Sequence, residues 1–486
     1  MAFTPQDIAP DEREPGSPEE PGLEMPSAPR SGRPQLIDPN EELSSAKVGK
    51  VAMGLALPAV AENFLMSLVS MVDMIMVSRI GAAATAAVGI TNQPVFFATA
   101  IFQALNVGTT ALVARFFGAQ DHKQANEAAR QTLVIITILS FVVSILLNLL
   151  TVPILTWMNA EEDTMFYAVN YFKLTTISLI FNQIMMGVNA QVRGSGDTRT
   201  PMYNNMMVNV LNVILDVTLI NGFLFIPRLE VTGAGIASVI SRFVGMCMAL
   251  RVVLDGKHNI HISLKERFRF NWDLAKRMTQ VGIPSAIEQF VMRGGNLIFA
   301  TTVTGLGTVT YAAHVVAMNI NSLSMAPGMG FGMAATALVG QSLGAKRPDW
   351  AEACGWQTQK MSMTMAIPMT MLFLFAGTFI ARFYSNDPEV INQAGAVLKI
   401  VAFTQIPQMS QVVLAGGLRG AGDTKWPLIS TTIGIWGFRV VLAKILVDML
   451  GYGLMGAWIA LAVDQLVRSA VILWRYRTGK WKTIKV

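Results

Sequence analysis

The amino-acid sequence predicts an all-α integral membrane protein, with twelve transmembrane helices in two six-helix lobes related by a pseudo-twofold axis along the membrane normal. Three observations predict it. The 486-residue chain is 52% hydrophobic and only 14% charged, with a mean hydropathy of +0.46, whereas a soluble domain carries about 25% charged residues. Its apolar runs have helix length, about 20 residues, and lack the short alternating pattern of a transmembrane barrel. Finally, segments of the first half return in the second half at one fixed offset.

Residues 1–44 open the chain with nine of its 21 prolines and a surplus of acids, among them Asp7, Asp11, Glu12, Glu14, Glu19, Glu20 and Glu24. They contain no apolar run of the signal-peptide kind, so a disordered cytoplasmic tail is expected. Helices follow at 51–78, 86–114, 129–152, 165–191, 202–222 and 232–254, which make an N-lobe over 45–254. A longer polar loop, 255–274, leads to helices at 276–304, 309–342, 354–380, 387–417, 426–448 and 453–474, the C-lobe over 275–478. A basic tail, 479–486, ends the chain.

An even number of spans puts both termini on one side, and the distribution of Lys and Arg says which. One alternating set of loops and helix ends holds Lys47, Lys50, Arg115, Lys123, Arg130, Arg193, Arg199 and Arg251 in the first half. Lys257, Lys265, Arg267, Arg269, Lys276 and Arg277 fall in and beside the middle loop. Lys346, Arg347, Arg419, Lys425, Arg475, Arg477, Lys480, Lys482 and Lys485 follow. The opposite set holds only Arg79, Arg228 and Arg382. The expected protein is therefore multi-pass in a plasma (inner) membrane, with both termini and the 255–274 loop cytoplasmic. The same scatter explains the formal charge of +6 without a nucleic-acid partner, because no basic stripe is interleaved with aromatics.

The repeat is specific. Leu57-Pro58-Ala59-Val60-Ala61-Glu62-Asn63-Phe64 returns as Ile283-Pro284-Ser285-Ala286-Ile287-Glu288-Gln289-Phe290. Arg193-Gly194-Ser195-Gly196-Asp197-Thr198 returns as Arg419-Gly420-Ala421-Gly422-Asp423-Thr424, and Leu112-Val113 with Gly118-Ala119 as Leu338-Val339 with Gly344-Ala345. The offset is 226 each time (283 − 57, 419 − 193, 338 − 112). It spans six helices, so the halves share one orientation, the plan of a two-lobed transporter with a solute site between the lobes.

Acids inside apolar helices mark the chemistry. Asp73 lies in the first helix and Asp216 in the fifth, where Asn209, Asn212 and Asp216 share a face at i, i+3, i+7. A carboxylate at the bilayer centre costs about 2.5–3.5 kcal/mol on insertion scales, so function is the default reading. Such a face can hold a cation or carry a proton. A structural hydrogen-bond cluster is the alternative. Adding 226 to these positions reaches Phe299 and Leu442, so the lobes are expected to have different jobs. Glu62 and Glu288 are equivalent positions, each four residues after a helix proline, and read equally as salt-bridged structural acids or as substrate-binding ones. Arg293 stands five residues after Glu288, a poor spacing for a pair.

Pro58, Pro94, Pro284, Pro327, Pro368 and Pro407 mark expected kinks. The 30 methionines suit a cavity that adapts to apolar ligands. Catalysis has no candidate site. His314 is the only histidine within a predicted helix, Cys247 and Cys354 have no metal-ligand spacing, and no phosphate loop follows a strand. No cofactor is therefore expected, and an ion gradient is the energy source.

These residues resemble the multidrug and toxic compound extrusion (MATE) family over roughly 46–478. The carriers are Asp73 ahead of Gly81, the stretch Arg193 to Pro201 followed by Asn209, Asn212 and Asp216, Gly233 to Ser238, Ala312-Ala313-His314, and Arg419 to Pro427. The resemblance implies two lobes in a V that alternate between inward- and outward-open states, exporting organic cations or drugs in exchange for Na⁺ or H⁺. It implies a cation-coupling site at Asp73, Asn209, Asn212, Asp216 and Ser238, with Na⁺ on Asp73, Asn212 and Asp216. Ser238 stands where similar members usually have Thr. Possible substrate-binding residues are Glu62, Glu288, Gln289 and Gln408. Some members carry a further acid in the tenth helix, where this chain has Gln405 and Gln408, which favours the N-lobe for coupling. The expected partners are organic cations and membrane lipid, and the expected unit is a monomer. A lipid-linked or polysaccharide flippase of the same superfamily, with several basic residues in its cavity, and a passive channel are the alternatives.

Overall fold

The computed structural model describes residues 42, 44–78, 80–158, 160–222, 227–263 and 269–484. The predicted 1–44 tail, Arg79, Lys265, Arg267 and Lys485 lie outside the described residues, apart from Glu42 and Ser44.

Twelve long helices cross the molecule: α1 Ser45–Ser78, α2 Ala82–Gly118, α3 His122–Leu149, α4 Glu162–Gly194, α5 Arg199–Asn221 and α6 Glu230–Leu254, then α7 Trp272–Thr304, α8 Thr308–Gly344, α9 Pro348–Ala381, α10 Pro388–Gly420, α11 Lys425–Met449 and α12 Gly453–Arg477. A short helix, Thr151–Trp157, follows α3. Each predicted span is present, and α1, α3 and α9 begin six or seven residues earlier than expected (51 − 45, 129 − 122, 354 − 348) because their first turns run on in polar sequence beyond the apolar stretch. Among the described residues, nine helices are apolar enough by composition alone to cross a bilayer; α4, α5 and α7 are the exceptions, and they carry Arg193, Asp216 and Glu288.

The repeat is visible in the helix starts, with α2 to α8, α3 to α9, α4 to α10 and α5 to α11 all offset by 226 (308 − 82, 348 − 122, 388 − 162, 425 − 199). The repeated Arg-Gly-x-Gly-Asp-Thr motif builds the same corner twice. Gly196 and Gly422 adopt left-handed φ of 89° and 84° to end α4 and α10. Asp197 then caps α5 by accepting from the backbone N–H groups of Arg199 and Thr200, each at 3.1 Å.

Lobe contacts cross over: α1 packs on α8 of the other lobe and α7 on α2. Small residues allow it, as expected between helices in lipid. A Cβ added to Gly118 would collide with the backbone of Gln341, and one added to Gly344 with that of Arg115, the same contact seen from both lobes. Gln341 also donates across the interface to the Gly194 carbonyl at 2.9 Å. These contacts gather at the end of the bundle that carries the described ends of the chain. The Gly118→Ala/Gly344→Ala double variant should therefore pry α2 from α8. Overpacking of this kind costs about 1–3 kcal/mol, read as a lower unfolding midpoint. Gly54→Ala, where a Cβ meets nothing within 4 Å, should leave the midpoint unchanged.

Residues 480–483 are not a free tail. They form a turn of 3₁₀ helix whose Trp481 is fully buried and stacked on Tyr476, and Arg115 of α2 donates to the carbonyls of Ile484 and Ala421 at 2.8 and 2.9 Å. Two helices depart from regular geometry. α8 breaks at Met325, one turn that Pro327 prevents from continuing. α11 widens into π-helix over Ile433–Val440, a local irregularity that often marks functional sites. Its N-lobe counterpart α5 stays α-helical throughout.

Candidate functional site

Two polar centres lie inside the bundle. The first is in the N-lobe. Asp73 and Asp216 each stand five residues before the end of their helix (78 − 73, 221 − 216), at the end of the bundle away from the described chain termini. Their carboxyl groups come within hydrogen-bonding reach of each other. One oxygen of each, Oδ1, is buried without a hydrogen-bond partner, as are the amide nitrogens of Asn209 and Asn212 on the same face of α5. A half-turn of either amide exchanges its donor for an acceptor. The set therefore offers unused oxygens to a monovalent cation or a proton. Among the described residues no cluster of three or more His, Cys, Asp and Glu forms, so a tightly held divalent ion has no such ligand set.

Arg242 of α6 was not assigned a role in the sequence, and the structure supplies one. Its guanidinium lies close enough to both carboxylates and to Tyr171 to interact electrostatically, and it donates to the Ser178 hydroxyl at 3.0 Å. It offsets one of the two negative charges. Ser238 is one helical turn before Arg242; its backbone carbonyl accepts from the Ser241 hydroxyl at 3.3 Å.

The second centre is a cavity of 510 Å³ between the lobes, within the 300–1,000 Å³ range of drug-sized sites. The C-lobe lines most of it. Glu288, Gln289 and Gln408 line it, and so do five methionines, Met292, Met318, Met325, Met329 and Met333. Glu62 is not among the lining residues. It is held by Arg193 at 3.0 Å and Asn205 at 2.5 Å. Glu288 is held in the equivalent way by Arg419, which donates to both carboxylate oxygens at 2.7 and 2.9 Å, and by Thr431 at 3.2 Å. The two pairs repeat one geometry at 226 residues, and Arg293 instead lies over the ring of Phe96. Gln408 donates to the Met325 sulfur at 2.8 Å, and Gln405 to Asn321 at 3.2 Å.

Asp464 of α12, which the sequence does not single out, is a further intramembrane acid, fully buried and held by Arg439. Arg193 and Arg419, which the sequence places among the charges of loops and helix ends, stand in the last turns of α4 and α10 and pair with acids on α1 and α7. The signal that could have found them was the repeat itself, since the Arg and the Glu recur together with the same separation of 131 residues (193 − 62, 419 − 288).

Two crossed six-helix lobes around a central cavity, with buried charges in each lobe, define a two-lobed membrane transporter. The comparisons with known proteins agree. The MatE family model matches residues 58–218 and again 284–445, one match per lobe. The probable multidrug resistance protein NorM of Thermotoga maritima is 31% identical over 452 residues, covering 91% of this chain and 95% of that protein. The uncharacterized transporter YisQ of Bacillus subtilis is 24% identical, over 84% of this chain and 90% of its own. Among solved structures, an outward-facing multidrug resistance MATE family transporter superposes with a TM-score of 0.83 at 22% identity, over 91% of this chain and all of that one. A mutant of the Vibrio cholerae MATE transporter VcmN does so with 0.83 at 18% identity, over 89% and 97%; these two show the fold. The chain belongs to the MATE family, a family of membrane transporters and not of enzymes.

Proposed function

We propose that the protein is a secondary active antiporter that exports drug-sized organic molecules in exchange for Na⁺ or H⁺ by alternating access. The observation that carries this reading is the acid pair in the N-lobe. Asp73 and Asp216 bring two negative charges to one buried place, and Arg242 offsets one, which leaves room for a single monovalent cation or proton. The coupling site is thus Asp73 and Asp216 with Asn209, Asn212 and Ser238 alongside, and the cargo site is the central cavity. The name of the Thermotoga relative, a probable multidrug resistance protein, supports small-molecule cargo.

The sites communicate through α1. That helix carries Asp73 near one end, lies against α8 and α9 of the other lobe, and holds Asn63 against the sulfur of cavity-lining Met333 at 3.8 Å. Asn63 and Asp73 are ten residues apart, about 15 Å of helix. Pro58, which donates no backbone hydrogen bond, gives α1 a place to bend. An ion that binds better in one state than the other then shifts the whole lobe arrangement.

Selection of purely cationic cargo has no free acid in the cavity to carry it, because Glu288 is committed to Arg419. The flippase alternative asks for several free cations. The basic residues on the cavity wall are Arg193, Arg419, Arg439 and Arg468, and each stands within 4.0 Å of a carboxylate, the last two sharing Asp464. The test is efflux of a fluorescent dye from proteoliposomes under a Na⁺ gradient, an H⁺ gradient, or neither. Antiport gives efflux that follows one imposed gradient, and equal efflux without any gradient refutes it in favour of a passive pore.

The orientation belongs to the same reading, with both termini and the 255–274 loop cytoplasmic. In a Cys247→Ser background, Lys257→Cys should be labelled by an impermeant maleimide only after the membrane is opened. Labelling from outside intact cells would reverse the orientation.

A further inference from the structure

We propose that the central cavity engages its cargo through one anionic group, a carboxylate held by Arg468, so that the preferred substrates are amphipathic acids or zwitterions. This rests on reading the cavity as the cargo site of an exporter. Four guanidiniums line the cavity, those of Arg193, Arg419, Arg439 and Arg468. Three carboxylates answer them. Glu62 takes Arg193 at 3.0 Å, Glu288 takes Arg419 at 2.7 Å, and Asp464 takes Arg439. Arg468 has no carboxylate of its own and shares Asp464 with Arg439, at 4.0 Å.

Its situation is unusual for a surplus charge. The side chain is only 9% exposed, and its Nε is buried without a hydrogen-bond partner. The carboxylate oxygen paired with it, Asp464 Oδ2, stands 4.0 Å away and already receives the Arg439 fork. Arg419, Glu288, Arg439 and Asp464 all lie close enough to act on Arg468 electrostatically, three positive groups in all, Arg468 included, against two negative. His314, the nearby histidine, packs against Phe299, Tyr311 and Trp458 and brings no negative charge. Buried charges in proteins are paired, so a guanidinium on the wall of a ligand-sized space, whose one carboxylate stands at 4.0 Å and is shared with Arg439, calls for a further anion from the ligand.

The planar fork of Arg matches a carboxylate in geometry, and such charge-assisted bonds are the strong ones. One surplus charge fits a single carboxylate. A lipid diphosphate would bring more negative charge than one surplus positive charge answers. The methionine side chains on the same cavity wall supply an adaptable apolar bed for the rest of the molecule.

The test uses a rhodamine dye as its free acid and as its methyl ester, two probes that differ in one carboxylate. Fluorescence anisotropy with the full-length protein in detergent at neutral pH measures both affinities without any ion gradient. Wild-type protein should bind the acid about tenfold or more tightly than the ester, the worth of a charged hydrogen bond. Arg468→Gln should bring the two within about twofold while keeping ester binding, and Arg468→Lys should keep part of the preference. The wild-type ratio stands as a test even if Arg468→Gln does not fold. Equal or tighter binding of the ester by wild-type protein overturns the proposal, and so does an Arg468→Gln protein that keeps the full preference. Displacement of the acid by farnesyl diphosphate at lower concentration than by unlabelled acid overturns it too. Failure here leaves gradient-driven efflux of the ester intact, whereas failure of the exporter reading abolishes gradient-driven efflux of both dyes.

Discussion

Asp73→Asn protein should fold, bind its cargo, and lose gradient-driven export down to the rate seen with no gradient. Amide and carboxylate have nearly the same shape, and Asp73 Oδ1 makes no hydrogen bond that the change would break. What the substitution removes is charge. With Asp73 neutral, Asp216 and Arg242 already balance each other, so an arriving cation finds no net negative charge to answer. Ion binding then no longer distinguishes the two states of the lobes, and a ligand without differential affinity shifts nothing. Asp216→Asn should have the same effect for the same reason. Cargo binding in the cavity should change less than twofold in either variant, since neither residue lines it. Efflux by Asp73→Asn at the wild-type rate under the same gradient would make the acid pair structural.

Glu288→Gln should destabilise the protein strongly. Arg419 gives Glu288 two hydrogen bonds, and Thr431 a third. Removing one partner of a buried ion pair costs about 3–5 kcal/mol, because the other charge is left behind. Glu288→Gln/Arg419→Gln should recover much of that loss, since no charge is then stranded. The unfolding midpoint in detergent checks both. Glu62→Gln should cost less than Glu288→Gln, because Arg193 gives Glu62 a single bond and Asn205 remains as a partner. If Glu288→Gln instead keeps the midpoint and weakens cargo binding, Glu288 is a cargo ligand first. The structure thus turns an even choice for this residue into a measurable one.

The lobes and their order were legible because the repeat preserves both hydropathy and corner chemistry. Gly196 and Gly422 must adopt left-handed backbone to end α4 and α10, so the motif around them survives as a readable string. Asp73 and Asp216 were legible as carboxylates in apolar sequence, and a helical face placed Asn209 and Asn212 beside Asp216. What sequence could not show was pairing across helices. Arg242 sits in an apolar stretch like several other basic residues, and nothing along the chain says that it lies in electrostatic range of acids on α1 and α5. Arg468 and Asp464 are four residues apart, which reads as a self-contained pair. Only the packing of α11 shows that Arg439 holds Asp464 more closely and leaves Arg468 to share it at 4.0 Å. The widened turn of α11 has no local signature either, since Gly434 and Gly437 are ordinary in a membrane helix.

Antiport at the acid pair makes a reciprocal demand: if the ion gradient drives cargo, a cargo gradient must drive the ion by the same coupling. The measurement is ion movement in proteoliposomes that hold cargo on one side only, followed with lumenal pH-sensitive and Na⁺-sensitive dyes. Wild-type protein should move Na⁺ or H⁺ opposite to the cargo as the cargo gradient runs down, and Asp73→Asn protein should move neither ion. Cargo that runs down its gradient through wild-type protein with both ion signals flat would contradict coupling altogether.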